Sequence, residues 1–173
     1  MKPQKRDNLW APWRLEYIHK KKLSDACPFC TALKQKPSVK NLVLYKDASV
    51  AVIMNKFPYN PYHLLVIPRA HAADLGDLPA EVSARLAKCV QKAYEAVREV
   101  VRFDGANIGI NLGTAAGAGI PGHLHWHIVP RWNSDTNFMP ILAETKAIPT
   151  HNAKVYESLS KVFDSFADRM AED

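Results

Sequence analysis

Cysteine is scarce in this 173-residue chain, which holds Cys27, Cys30 and Cys89 and no others. Three thiols cannot build the disulfide framework of a small secreted domain. Long apolar runs are missing as well. No stretch approaches the roughly 20 residues needed to cross a bilayer, and no positively charged start leads into an apolar signal segment. A cytoplasmic protein without membrane contact is the expectation. Internal repeats and low-complexity tracts are also lacking. Acidic residues are in the minority, 17 against 23 basic, for a net charge of +6. That surplus is local. The first 22 residues carry Lys2, Lys5, Arg6, Arg14, Lys20, Lys21 and Lys22 against Asp7 and Glu16, so the rest of the chain is nearly neutral. A basic end of this kind fits a solvated arm or the steering of an anionic substrate. The charge is too confined, and the aromatics too few along any track, to favour nucleic-acid binding.

The length suits one domain with a real core. Residues 1–26 read as an arm pinned by Trp10 and Trp13, and residues 27–173 as the folded domain. Cys27-Pro28-Phe29-Cys30 opens that domain and leads into a helical turn through Leu33. Strands are expected over 42–45, 49–54, 62–67, 106–112 and 123–129. Leu78, Val82, Leu86, Cys89, Val90, Ala93, Val97 and Val100 recur at helical spacing, predicting a long helix within 75–103. A second helix is expected over about 152–170, with Val155, Leu159, Val162, Phe163 and Phe166 inward. Strands joined by short links with helices set aside indicate an antiparallel α+β domain.

Residues 123–129 carry the chemistry. His123, His125 and His127 alternate with Leu124, Trp126 and Ile128, so in a strand the imidazoles share one face and the apolar residues the other. Three histidines in register are uncommon, and their free pKa lies nearest neutrality. A neutral imidazole can attack phosphorus without a separate base, provided its other nitrogen donates to a fixed acceptor. Four of the seven glycines, Gly113, Gly117, Gly119 and Gly122, lie just before this strand. Their backbone can approach an anion closely and present clustered N–H groups. Cys27 and Cys30 have the separation of half a zinc site. The same Cys-Pro-Phe-Cys also resembles a glutaredoxin active site, but that fold needs a preceding strand, and here an arm precedes.

His-Leu-His-Trp-His-Ile-Val resembles the signature of the histidine triad (HIT) superfamily of nucleotide hydrolases and transferases. The run from Ala116 to Trp132, the stretch Asp135 to Met139, and Leu9-Trp10-Ala11-Pro12-Trp13-Arg14 are similar to its branch resembling diadenosine tetraphosphate phosphorylases. The resemblance implies a five-stranded antiparallel sheet with a long helix and a C-terminal helix, pairing edge to edge into a homodimer or a higher oligomer. It implies that His125 is the nucleophile and becomes nucleotidylated, and that His127 contacts the phosphates or the leaving group. It places Asn111 and Gly113 at the phosphates and Asn55 at the ribose, with Phe57 and Ile53 flanking the base. For Asn55 the residues alone leave turn capping equally open. His63 matches a Gly-His position in which Tyr62 replaces the glycine, and a structural role is expected. In zinc-bearing relatives the remaining ligands correspond to His71 and His123, so the resemblance completes a Cys27, Cys30, His71, His123 set.

One departure bears on the reaction. Many HIT hydrolases carry Gln followed by Ser or Thr just before the histidines, where this chain has Gly119 and Ile120. Glycine cannot orient a water as a glutamine side chain can. Inorganic phosphate as the acceptor fits better, giving ADP and ATP from diadenosine tetraphosphate. A dinucleoside polyphosphate or nucleoside phosphoramidate hydrolase is the alternative, and a non-catalytic nucleotide-binding module the second.

Overall fold

The computed structural model describes residues 26–133, 135 and 150–172. The expected arm, with Trp10 and Trp13, lies outside the described residues except for Ala26, and so do residues 136–139. The chain divides into two compact units, residues 26–132 with 148–173, and residues 1–25 with 133–147. The first unit is described here.

It begins with α1 (Pro28–Leu33), then β1 (Val43–Lys46), β2 (Val50–Met54) and β3 (Leu64–Pro68). After a 3₁₀ turn over Leu75–Asp77 come α2 (Ala80–Val100), β4 (Gly105–Ile110), β5 (Trp126–Arg131), α3 (Asn152–Phe163) and α4 (Phe166–Ala171). The five strands form one antiparallel sheet in the order β1-β2-β3-β5-β4. The α+β sheet expected from the sequence is therefore present. Among the described residues no helix is long and apolar enough to cross a membrane.

The long helix is shorter than its periodicity predicts. Pro79 excludes the helical conformation at Leu78, which is extended, and α2 starts only at Ala80. Upstream, Asp74 and Asp77 cap the separate 3₁₀ turn reciprocally. Leu86, Cys89, Val90, Ala93, Ala96 and Val97 form the buried stripe of α2. Leu78, Val82 and Val100 sit at its margin. Each fully buried leucine or valine contributes roughly 1.5–3 kcal/mol. Every residue of β2 and β3 is buried, so both faces of the sheet centre are covered. Asp47 ties the β1–β2 hairpin to α2. Its Oδ1 accepts the Ser49 and Val50 amides, and its Oδ2 accepts from Arg85 Nε. The C-terminal helix is interrupted at Asp164 and Ser165, and Val162 is only half-buried.

Two strand boundaries move in ways that shape the site. The third strand starts at Leu64, because Tyr62 takes a left-handed φ of 61° and turns the chain. That conformation favours glycine, which explains the position that Tyr62 fills. The last strand starts at Trp126, not His123. Pairing between β3 and β5 stops at Val66↔Trp126. Two residues on, Pro68 has no N–H to continue a ladder. The Leu124 amide donates to Ala72 O instead, at 2.7 Å. At the other end β5 runs through Pro130 to Arg131, past the expected end at residue 129. There β5 pairs with β4 alone, and Asn60 Nδ2 donates to the Pro130 carbonyl at 2.8 Å.

Candidate active site

His127 is the one triad histidine inside β5; His123, at a bend, and His125 lie just before it. Leu124 and Ile128 point into the core as expected. The three imidazoles nevertheless do different things, and backbone groups decide which.

His125 Nδ1 lies 2.8 Å from the His123 carbonyl. A carbonyl only accepts, so Nδ1 carries the proton and Nε2 keeps its lone pair. The His125 ring packs 5.4 Å from Phe29 and 4.9 Å from His127. It is 6% exposed, and burial lowers its pKa, opposed by the hydrogen bond to His123. The lowered pKa favours the neutral ring, with the lone pair defined on Nε2.

The opposite polarity reaches His127. The Tyr59 amide donates to His63 Nδ1 at 3.1 Å. That nitrogen is therefore unprotonated, and His63 Nε2 carries the hydrogen. His63 Nε2 donates to His127 Nδ1 at 2.9 Å, which leaves the His127 proton on Nε2. His127 Nε2 is sealed from solvent and has no partner among the described residues. A buried donor without an acceptor is rare and calls for a partner such as a water or a ligand atom; Trp126 Nε1 is in the same position. Burial lowers His63 to about 3 and His127 to about 4, each helped by the neighbouring imidazoles. Tyr59 stacks on this pair, its ring 4.9 Å from His63 and 5.9 Å from His127. The sequence reading placed His63 within the third strand and gave it no part in the chemistry; the structure makes it the residue that sets the His127 tautomer. The signal for this was its match to a Gly-His position, but only the fold shows what it touches.

Asn55 follows β2. Its Oδ1 accepts the Phe57 amide at 3.0 Å, and its Nδ2 lies 3.2 Å from His63 Nδ1. The turn-capping role is thus present, and the side chain joins the histidine cluster. Phe57 is half-exposed under Lys56 Nζ, whereas Ile53 is buried. Asn111 follows β4 and is half-buried. Gly113 and Gly117 have φ of 74° and 85°, which only glycine adopts readily. The amides of Gly117 and Ala118 close turns inside the loop, onto Thr114 O and Gly113 O. Gly119 lies further along that loop, outside any helix or strand. Gly122 lies next to His71, and a Cβ there would make only an ordinary contact at 3.7 Å with His71 Nε2.

His71 belongs to a second cluster. Ligand atoms of Cys27, Cys30, His71 and His123 all lie within 4.8 Å of one another. Cys27 Sγ is 3.4 Å and Cys30 Sγ 3.6 Å from His123 Nδ1, and Cys30 Sγ is 3.4 Å from His71 Nδ1. Tetrahedral zinc with Zn–S of ~2.3 Å and Zn–N of ~2.0–2.1 Å would set such pairs about 3.6 Å apart. His123 Nε2 donates to the Pro68 carbonyl at 3.0 Å, which leaves Nδ1 as the free lone pair facing the sulfurs. Such outer hydrogen bonds orient ligating histidines. Burial and the neighbouring Cys27 raise the Cys30 pKa, so a Cys30 thiolate here calls for a cation beside it. The residues fit zinc, and the Cys-Pro-Phe-Cys pair faces two imidazoles, as a metal site requires and a redox active site does not.

Comparison with known proteins agrees with this geometry. Residues 36–134 match the HIT domain family. An AP-4-A phosphorylase of Mycobacterium tuberculosis is 39% identical over 149 residues, covering 82% of this chain and 76% of that protein. A Schizosaccharomyces pombe bis(5'-nucleosyl)-tetraphosphatase (asymmetrical) is 36% identical over 93 residues, 54% of this chain and 50% of its own. Among solved structures, a Zn-bound histidine triad family protein from Mycobacterium smegmatis superposes with a TM-score of 0.65 at 31% identity, covering 85% of this chain and 98% of that one. The chain belongs to the HIT domain family, whose histidine motif and antiparallel sheet it carries.

Proposed function

We propose that this protein cleaves dinucleoside polyphosphates by nucleotidyl transfer through His125, with inorganic phosphate as acceptor. The single observation that carries the reading is the pair of opposed tautomers. His125 presents a lone pair on Nε2, and the adjacent His127 presents an unpartnered N–H. In the first step His125 Nε2 forms a bond to the α-phosphorus of diadenosine tetraphosphate. The bond from that phosphorus to the bridging oxygen breaks, and ATP leaves. The His127 N–H stabilises the charge growing on the departing oxygen, which in a polyphosphate needs a hydrogen bond more than a full proton. In the second step a phosphate oxygen attacks the same phosphorus, the P–N bond breaks, and ADP and free His125 are released. Gly113, Gly117, Gly119, Gly122, Asn111 and Asn55 line the nucleotide and phosphates in this reading, with Phe57 beside the base. Similarity to the mycobacterial AP-4-A phosphorylase supports the substrate class.

Cys27, Cys30, His71 and His123 would hold zinc, which when bound supplies a structural tether and no chemistry on the substrate. A second copy would pair along β4, an outer strand of the sheet whose Asn107 and Ile108 are exposed. In the partition we favour, residues 27–173 make up the HIT domain and residues 1–26 its basic arm.

The test is product analysis on diadenosine tetraphosphate with and without phosphate. ADP and ATP in equal amounts, with turnover that rises with phosphate and is abolished in His125→Asn, are expected. AMP and ATP at a rate indifferent to phosphate would replace the phosphorylase reading with a hydrolase. Full turnover in His125→Asn would remove His125 as nucleophile.

A further inference from the structure

We propose that α1 is a positioning clamp for the nucleophile, with Phe29 as the residue that transmits metal occupancy to His125. The proposal rests on His125 being the nucleophile and on the Cys₂His₂ set holding zinc. Three contacts meet at one place. Cys27 and Cys30 flank Phe29 at the start of α1. The Phe29 ring lies 5.4 Å from both the His123 and the His125 rings, edge-on to the first and tilted on the second. His123, a ligand through Nδ1, also provides the carbonyl that holds His125 Nδ1–H. Two of the contacts that fix the nucleophile's ring thus belong to the metal cluster or to the helix that bears it, the third being the His127 ring.

The helix cannot hold this position alone. It has six residues and no side-chain cap at its start, well below the length at which an isolated helix is stable. Its end is secured, because Lys46 Nζ donates to the Leu33 and Gln35 carbonyls at 2.7 Å. Its first turn, with Cys27 and Phe29, is held by the burial of Phe29 and by the four donors closing on an ion. With the ion removed, that turn frays, Phe29 withdraws, and His125 is free to leave the His123 carbonyl. A purely structural zinc would stabilise the domain without changing the state of the His125 ring.

The test compares zinc-loaded wild type, the chelator-stripped protein, Phe29→Ala and Phe29→Leu. The readouts are metal content, single-turnover kinetics, and ¹⁵N-histidine NMR of the His125 Nδ1–H, assigned by its loss in His125→Asn. The loaded wild type should show one Nδ1–H tautomer. Stripping the metal should weaken or average that signal. Phe29→Ala should keep its zinc and KM yet lose the signal and roughly 10- to 100-fold in kcat, the range for loss of an outer positioning contact. Phe29→Leu should recover part of both. An unchanged Nδ1–H signal after metal removal overturns the proposal even if Phe29→Ala does not fold. So does an unchanged signal and kcat in a zinc-loaded Phe29→Ala. In either case, continued formation of nucleotidyl-His125 leaves the proposed function standing. If no nucleotidyl-His125 forms in the wild type while the signal still follows Phe29 and zinc, the function fails and the clamp remains.

Discussion

Replacing His63 by phenylalanine should slow nucleotidylation of His125, and the size of the loss follows from one hydrogen bond. His63 Nε2–H, itself buried, meets His127 Nδ1 at 2.9 Å in a part-buried contact. Leaving a buried polar group unpaired costs about 1–3 kcal/mol. Without His63, His127 loses that bias toward carrying its proton on Nε2. At 1.36 kcal/mol per tenfold, the useful tautomer then falls by roughly 5- to 150-fold. This reaches only the lower end of the ~10²–10³ expected for deleting a preorganised donor outright, because His127 is still present. Single-turnover quench experiments that count nucleotidyl-His125 measure the effect directly. The cause can be isolated by varying the leaving group. If His127 assists departure, the deficit of His63→Phe should shrink for a nucleotide ester whose leaving group departs readily. His63→Gln should be milder, since an amide can accept from Tyr59 and donate to His127. A deficit of equal size for good and poor leaving groups would refute the tautomer argument and make His63 a packing residue.

Zinc content should be near one per chain in protein purified without chelator. Metal uptake into stripped protein should release protons, because the raised Cys30 thiol must ionise to ligate; metal-free protein with reduced Cys27 and Cys30 would contradict the site. Stability should fall on acidification below about pH 6.5. His63 and His127 are held near 3 and near 4, so in this window the unfolded chain binds more protons than the folded one. Each group costs up to about 1.4 kcal/mol per pH unit until its folded pKa is reached. Denaturant titrations at pH 7, 6 and 5 read this slope, and His63→Phe should flatten it.

Much of this site is legible in the sequence, and the gaps have physical causes. The alternation of histidine with Leu124, Trp126 and Ile128 shows which side chains enter the core. The Cys27/Cys30 spacing announces a ligand pair. What the pattern cannot show is where a ladder ends. Pairing there depends on which residue lies opposite, and Pro68, some 55 residues before His123, stops it. The same holds for Pro79. A run of apolar residues at helical spacing continues across it, but a proline forbids helix in the residue ahead of it. Asn55 shows a different limit. Capping and ligand contact call on the same amide group, and only the Phe57 amide and the His63 ring reveal that its side chain is already engaged. His63 was the largest gap, because its role arises from a contact across 64 residues that no local pattern encodes.

Two imidazoles with the same intrinsic chemistry sit 4.9 Å apart in this cluster, and the fold gives them opposite roles. Burial removes the charge from both, so neither role can be assigned by protonation. The assignment comes from the backbone. A carbonyl, at His123, faces His125 and draws its proton to Nδ1. An amide, at Tyr59, faces His63 and through it draws the His127 proton to Nε2. A carbonyl accepts and an amide donates at any pH, so this division of labour does not vary with conditions as a charged pair would. It depends instead on two short pieces of chain staying in place: the turn at Tyr62 with its left-handed φ, and the approach to β5 that Pro68 keeps out of the ladder. Both departures from regular strand therefore help set the two tautomers apart. A chain that completed those ladders in full would present three histidines on one face, as the sequence pattern suggests, with nothing to set one tautomer against the other.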